Sequence, residues 1–284
     1  MNIGNLHKII VCGAGTMGSG IAETAASNGY TTLLYDPVAS ALQNAERNIQ
    51  QNLAMLVEKE KIAADKKSAT IRNLSFSTDI NDCRGDLVIE AIFEDLPAKQ
   101  QLFSSINDLN SNQTLLASNT SSLSVSSIAE TIAHRERMCG LHFFNPAPVM
   151  KLVEVVTTTW TSKETVDTVV AFVKALGKVP VLCSDSPGFI VNRVARHYYL
   201  EALKLLEDGV ANIETIDRVL ENAGFRMGPF RLMDLIGNDV NLAVTRSMYE
   251  AFGQIERFRP SAIQENKVSE GDLGRKTGRG FYNY

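Results

Sequence analysis

From residue 8 to about residue 185 the chain alternates short apolar runs with stretches whose apolar residues recur every three or four positions. The short runs fall at residues 8–12, 32–35, 74–77, 87–91, 114–117, 138–141, 152–156 and 179–182, and their length and β-branched content predict strands. Helical spacing fills the gaps, most plainly in Val38, Ala41, Leu42, Ala45, Ile49, Leu53 and Leu56, which hold one face over about five turns. This alternation predicts an α/β fold with a doubly wound, mostly parallel sheet. The last strands follow one another with shorter gaps, so the far edge is expected to be mixed. Beyond residue 185 the period turns purely helical. Ser186 and Pro187 read as the N-cap and first residue of a helix reaching about residue 207, and residues 213–223, 229–236 and 240–252 read as further helices. The change predicts two domains, residues 1–185 with a helical excursion at about 37–72, and an all-helical domain of residues 186–284.

Composition narrows the function class. A formal net charge of −4 argues against nucleic acid or an anionic membrane surface as the main partner. No run of 18 apolar residues exists, and no charged segment followed by an apolar one opens the sequence, so neither a membrane span nor a signal peptide is expected. Cys12, Cys83, Cys139 and Cys183 lie far apart. They read as reduced core thiols of a cytoplasmic protein, with no metal site expected.

The strand at residues 8–12 runs straight into Gly13-Ala14-Gly15-Thr16-Met17-Gly18, an Ala-rich helix, and a second strand ending in Asp36. A lone G-x-G-x-x-G says little, but a preceding strand, a following helix and an acid roughly 20 residues on are the context a dinucleotide fingerprint requires. The domain is therefore Rossmann-type. Gly13 is expected to make the tight turn, Gly15 to admit the pyrophosphate, and Gly18 to let helix and strand pack closely, with the helix N-terminus facing the phosphates. Asp36 suits ribose hydroxyls and repels a 2′-phosphate, which favours NAD over NADP. A second constellation is His142, ending the run Arg-Met-Cys-Gly-Leu-His, with Glu154 set inside an apolar strand. A carboxylate holding one ring nitrogen raises the basicity of the other, the outline of an acid/base catalyst. The rival reading makes His142 a buried structural histidine and Glu154 an outward residue of an edge strand. Ser121 reads either as a site residue or as a helix cap; Ser127-x-x-Glu130 is the better capping box and Ser124 also lies closer to the helix start, which leaves Ser121 spare.

Six runs taken together resemble one family, the short-chain L-3-hydroxyacyl-CoA dehydrogenases, including 3-hydroxybutyryl-CoA dehydrogenases. They are Gly-Ala-Gly-Thr-Met-Gly (13–18), Glu-Ala-Ile-Phe-Glu (90–94), Ala-Ser-Asn-Thr-Ser-Ser-Leu (117–123), Gly-Leu-His-Phe-Phe-Asn-Pro (140–146), Pro-Gly-Phe-Ile-Val-Asn-Arg (187–193) and Lys-Thr-Gly-Arg-Gly-Phe-Tyr (276–282). The resemblance implies a dinucleotide-binding domain followed by a helical domain that forms a homodimer. It implies NAD-linked interconversion of (S)-3-hydroxyacyl-CoA and 3-oxoacyl-CoA, with His142 as base, Glu154 as its orienting carboxylate, and Ser121 and Asn192 bonding the reacting oxygen. Around NAD it sets Gly13, Gly15, Thr16, Met17, Gly18, Asp36, Glu94, Lys99, Asn119, Ser121, Asn145 and Lys276. Lys59, on the Lys-rich end of the excursion with Lys61, Lys66 and Lys67, is implied to contact coenzyme A. Asn52 stands where a serine is expected there. Two alternatives stay open: a related NAD-dependent dehydrogenase of a free hydroxy acid, of the gulonate or carnitine type, and a non-catalytic protein of the lambda-crystallin kind. The Gly-rich, basic C-terminus reads as a frayed tail or as a segment folded over the cofactor.

Overall fold

The computed structural model describes residues 6–284, so the sequence reading of the first five residues lies outside it. The chain separates into two compact units, one ending at Asp185 and the other running from Ser186 to Tyr284.

The first unit is built on eight strands: β1 (Lys8–Cys12), β2 (Thr31–Tyr35), β3 (Leu74–Ser77), β4 (Leu87–Glu90), β5 (Leu115–Ser118), β6 (Met138–Phe143), β7 (Leu152–Thr157) and β8 (Val179–Ser184). They form one sheet in the order β3-β2-β1-β4-β5-β6-β7-β8. Every neighbouring pair is parallel except β6 and β7, so the far edge is mixed. The near-continuous apolar runs follow from burial on both faces: Ile9, Val11, Leu34, Leu87, Ile89, Ala117, Leu141 and Val155 share one core with Ile21 of α1 (Thr16–Ser27) and Phe172 of α6 (Lys163–Ala175). Strand order reverses where β1 lies between β2 and β4, and the crevice outside the carboxyl ends of strands at such a point is where open α/β sheets bind ligands. The excursion is two helices, α2 (Ala39–Glu58) and α3 (Ala64–Arg72), with Lys59 as the C-cap of the first. Two shorter connections, α4 (Leu96–Leu109) and α5 (Val125–Ala129), lead out of β4 and β5. The cap of α5 is Ser124, whose side chain accepts from Ser127 N–H. The Ser127 capping box is therefore set aside, because the helix has already begun two residues before it.

The second unit holds α7 (Val191–Glu207), α8 (Ile213–Asn222), α9 (Pro229–Ile236), α10 (Asn238–Ala251) and α11 (Ala262–Ser269), around Tyr199, Leu203, Ile216, Phe230 and Met233. The helix expected to start at Ser186 starts instead at Val191. Gly188 has φ +74°, which no right-handed helix accommodates, and Phe189 N–H closes a turn onto the Ser186 carbonyl at 2.9 Å. The C-terminal segment is anchored, not frayed. Asp234 accepts from the N–H groups of Phe281 and Tyr282, both at 2.9 Å, and Asp217 accepts from Phe230 N–H at the start of α9 and from the Tyr282 hydroxyl. Among the described residues no helix is long and apolar enough to cross a membrane, and no group of three His, Cys, Asp or Glu is placed to hold a metal ion.

The glycines of the first turn separate packing from ligand access. A Cβ on Gly18 would lie 1.8 Å from the Gly13 carbonyl oxygen, whereas one on Gly15 meets nothing within 4 Å. Gly18→Ala is expected to destabilise the protein by about 3 kcal/mol in denaturant unfolding, as forced backbone shifts do, while Gly15→Ala stays within about 0.5 kcal/mol of wild type. Equal losses for the two would contradict this packing account.

Candidate active site

The glycine turn leads directly from the buried end of β1. Gly13 takes φ +108°, a conformation glycine adopts without strain, and a Cβ there would lie 2.5 Å from the Ala91 carbonyl oxygen. The turn is held from β2: Asp36 accepts from Ala14 N–H at 2.8 Å and from Val38 N–H at 2.9 Å. Thr16 and Met17 open α1, where unpaired backbone N–H groups face outward. Since nothing in the protein crowds Gly15, the open space over its backbone is what a pyrophosphate needs, and the residues present fit a dinucleotide.

Beyond β1, a chain of buried charge lines the ends of β4 and β5. Glu90, the last residue of β4, is fully buried and accepts from Lys99 Nζ at 2.5 Å, the Ser118 hydroxyl at 2.6 Å and Ile92 N–H at 2.8 Å. Lys99 also reaches Glu94 at 3.2 Å. Glu94 in turn gathers the loop after β5, accepting from the Thr120 hydroxyl at 2.6 Å, Ser121 N–H at 3.1 Å and the Ser122 hydroxyl at 2.9 Å. Burial alone pushes its pKa up, but the charge of Lys99 and the hydroxyl donors outweigh it and hold the carboxyl below the ordinary glutamate range. Lys99 is 1% exposed and sits between the two carboxylates. Glu90 was missed from the sequence, although an acid closing an apolar strand is the same signal that singled out Glu154.

His142 and Glu154 are register partners across the antiparallel pair β6 and β7. Directly opposed residues project to the same face, so Nδ1 of His142 and Oε2 of Glu154 lie 2.7 Å apart, with both side chains buried. The pairing commits Nδ1 of the ring to Glu154. Asn119, at the end of β5, accepts from Phe143 N–H at 2.8 Å and so ties the two strand ends together. The loop after β6 carries Asn145, and Lys178 fixes the loop by donating to the carbonyls of Ala147 at 2.6 Å and Met150 at 2.7 Å. No side-chain pattern announces Lys178, because its partners are backbone oxygens.

A cavity of about 260 Å³ adjoins the glycine turn, between α1, α2 and the Asn145–Pro148 loop. Asn52 belongs to its wall, where its Nδ2 donates to both oxygens of the buried Glu23 at 2.9 and 3.0 Å. Burial raises the Glu23 pKa, and the Asn52 hydrogen bond opposes the rise. Lys59 is exposed at the far end of α2. The two remaining expected residues lie in the second unit: Asn192 is in the first turn of α7, and Lys276 pairs with Asp239 at 2.6 Å.

Known proteins match the whole chain. The model of the 3-hydroxyacyl-CoA dehydrogenase NAD binding domain matches residues 8–186, and that of the 3-hydroxyacyl-CoA dehydrogenase C-terminal domain matches residues 188–284. The 3-hydroxyadipyl-CoA dehydrogenase of Escherichia coli K12 is 49% identical over 282 residues, which are 99% of this chain and 59% of that protein. The chain thus spans about three fifths of the length of that relative. The 3-hydroxybutyryl-CoA dehydrogenase of Clostridioides difficile is 41% identical over 279 residues, 98% of this chain and 99% of its own. The crystal structure of (S)-3-hydroxybutyryl-CoA dehydrogenase from Ralstonia eutropha superposes with a TM-score of 0.94 at 37% identity, covering 98% of this chain and 99% of that one. With both domain models matched in order, and the Clostridioides difficile relative aligned along 99% of its length, the chain belongs to the 3-hydroxyacyl-CoA dehydrogenase family.

Proposed function

We propose that this chain interconverts (S)-3-hydroxyacyl-CoA and 3-oxoacyl-CoA, with a short acyl chain of the 3-hydroxybutyryl or acetoacetyl kind. The observation that carries the reading is the buried 2.7 Å contact between His142 and Glu154, set at the same strand ends as the glycine turn. NAD, held against that turn, supplies the hydride acceptor. His142 Nε2 takes the hydroxyl proton of the substrate and returns it in the reverse direction. Glu154 keeps the ring in the orientation and tautomer this requires, and stabilises the imidazolium that forms. Ser121 and Asn192 are assigned the reacting oxygen, which neutral donors steady without competing for the proton. Glu94, with Lys99 behind it, positions the Ser121 loop, and Asn119 and Asn145 border the reacting end. Lys59 and Asn52 are assigned to coenzyme A, and Lys276 to the cofactor.

We further assign the second unit to homodimer formation. Val194, Val210, Val219, Phe225, Leu235 and Val240 are large apolar side chains left exposed there, and surface of this kind is what a symmetric partner covers. Free thiols at Cys12, Cys83, Cys139 and Cys183 support a reducing, cytoplasmic setting.

NADH oxidation by acetoacetyl-CoA tests the main reading. His142→Ala is expected to lower kcat by about 10³-fold and Glu154→Gln by about 10²-fold, within the span of positioned acid/base catalysis; a variant as fast as wild type removes that residue from the mechanism. For Glu94 the folded pKa lies below the free value of about 4.3. Its contribution to stability is therefore complete above that pH and is lost as pH falls through the folded pKa. Glu94→Gln is expected to flatten the acid limb of the stability curve below about pH 4.3, and an unchanged limb refutes the assignment. For the dimer, Val219→Glu with Phe225→Glu is expected to halve the mass measured by light scattering, and a wild-type monomer overturns the assignment.

A further inference from the structure

The segment that carries Ser121 is held at both ends by carboxylates from elsewhere in the first unit. Glu94 takes the front half, accepting from the Thr120 hydroxyl, the N–H groups of Ser121 and Ser122, and the Ser122 hydroxyl. The rear half is met by Asp185, which accepts from the Ser124 hydroxyl at 2.8 Å, Val125 N–H at 3.2 Å and Ser126 N–H at 2.8 Å. Val125 and Ser126 open α5, where no earlier turn of helix offers a carbonyl, so Asp185 supplies the acceptor that the helix cannot. Asp185 is itself tied to the sheet. It follows the last residue of β8, and its N–H donates at 2.9 Å to the carbonyl of Thr157, which ends β7, the strand of Glu154. On its other side α5 lies directly on β6: a Cβ on Gly140, two residues before His142, would come within 3.0 Å of Val125 Cγ2. The start of α5 is thus set against both strands of the His142–Glu154 pair.

We propose that Asp185 is a positioning residue for the reaction and acts through Ser121. It fixes the segment between β5 and α5 relative to the strands of His142 and Glu154, so that the serine meets the same substrate oxygen whose proton His142 exchanges. The assignment rests on the role given to Ser121 above and adds what holds that serine in place. A helix of five residues is not stable on its own account, so its start, and the loop leading into it, depend on the groups that hold them. Glu94 secures the loop from the β4 side, and Asp185 secures it from the β7–β8 side. The demand on such a clamp is strict, because a reacting group displaced by about 1 Å loses on the order of 10²-fold in rate.

Asp185→Asn keeps the shape of the side chain but puts an NH2 group where an oxygen met N–H and O–H donors, so donor faces donor. With acetoacetyl-CoA and NADH it is expected to lower kcat and kcat/KM together by about tenfold. The Kd for NADH is expected to stay at the wild-type value, because the partners of Asp185 are Ser124, Val125, Ser126 and Thr157 and not the glycine turn. In a Ser121→Ala background the same substitution is expected to cost nothing further, since two residues acting through one contact do not add, whereas a merely structural role multiplies the two losses. Ser124→Ala approaches the clamp from the other side, removing one donor and leaving the carboxylate. It is expected to give a smaller loss with the same non-additivity, and it carries the test if thermal unfolding shows that Asp185→Asn does not fold. A wild-type kcat in the folded variants, losses that multiply with Ser121→Ala, or a loss confined to NADH affinity overturns the assignment. Ser121→Ala as fast as wild type is a different failure, which removes Ser121 from the mechanism and Asp185 with it.

Discussion

A carboxylate carried into a sheet interior has to be met by a donor, and in this protein the answer to that demand organises the site. Two strands of the first unit bring an acid to the ligand side: β4 ends in Glu90 and β7 carries Glu154. An ion buried without a partner costs several kcal/mol, so the neighbouring elements are fixed by what they must supply. For Glu154 the supply is the His142 imidazole. For Glu90 it is Lys99 from α4 and Ser118 from β5. The charges are placed by packing, and the packing holds the His142 imidazole against Glu154.

The direction of one strand turns this into chemistry. In a parallel pair, neighbouring residues are staggered and their hydrogen bonds slant, whereas an antiparallel pair sets residues face to face. Among the described strands of the sheet only β6 and β7 are antiparallel, and His142 and Glu154 fall on that seam. The reversal of chain direction explains how two residues 12 apart in sequence come to share a hydrogen bond, and why the loop between them, with Asn145, borders the cavity beside the glycine turn. A second consequence concerns Lys99. Its charge lies between Glu90 and Glu94, and Glu94 in turn gathers the Thr120–Ser122 loop, so the three elements are tied to one another.

Much of the fold was legible in the sequence, for identifiable reasons. The six inner strands follow from apolar runs that burial on both faces makes continuous, while the edge strands β3 and β8 stay partly exposed; the observed ends differ from the expected ones by at most two residues. The helix at Pro229–Ile236 begins with a proline and is followed by a glycine, the strongest stop and start signals available. Where reading failed, a local signal was genuine but outranked. Ser186 and Pro187 have the chemistry of a helix start, yet Gly188 two residues later takes a positive φ and makes the segment a turn. Ser127 and Glu130 have the spacing of a capping box, but Ser124, which the sequence places closer to the helix start, makes the cap.

What the sequence determined by itself was periodic or short in range: the α/β character, the glycine turn with Asp36 at the next strand end, and the two candidate residues His142 and Glu154. Tertiary structure decided which side chains meet. It opposed His142 to Glu154, buried Lys99 between Glu90 and Glu94, gave Glu23 the Asn52 amide, and assigned the C-terminal segment to Asp217 and Asp234. The physical reason is that local pattern reports the burial of a residue and not the identity of its partner. Partners are chosen by register, strand direction and the satisfaction of buried charge, and each of those exists only once the chain has closed on itself.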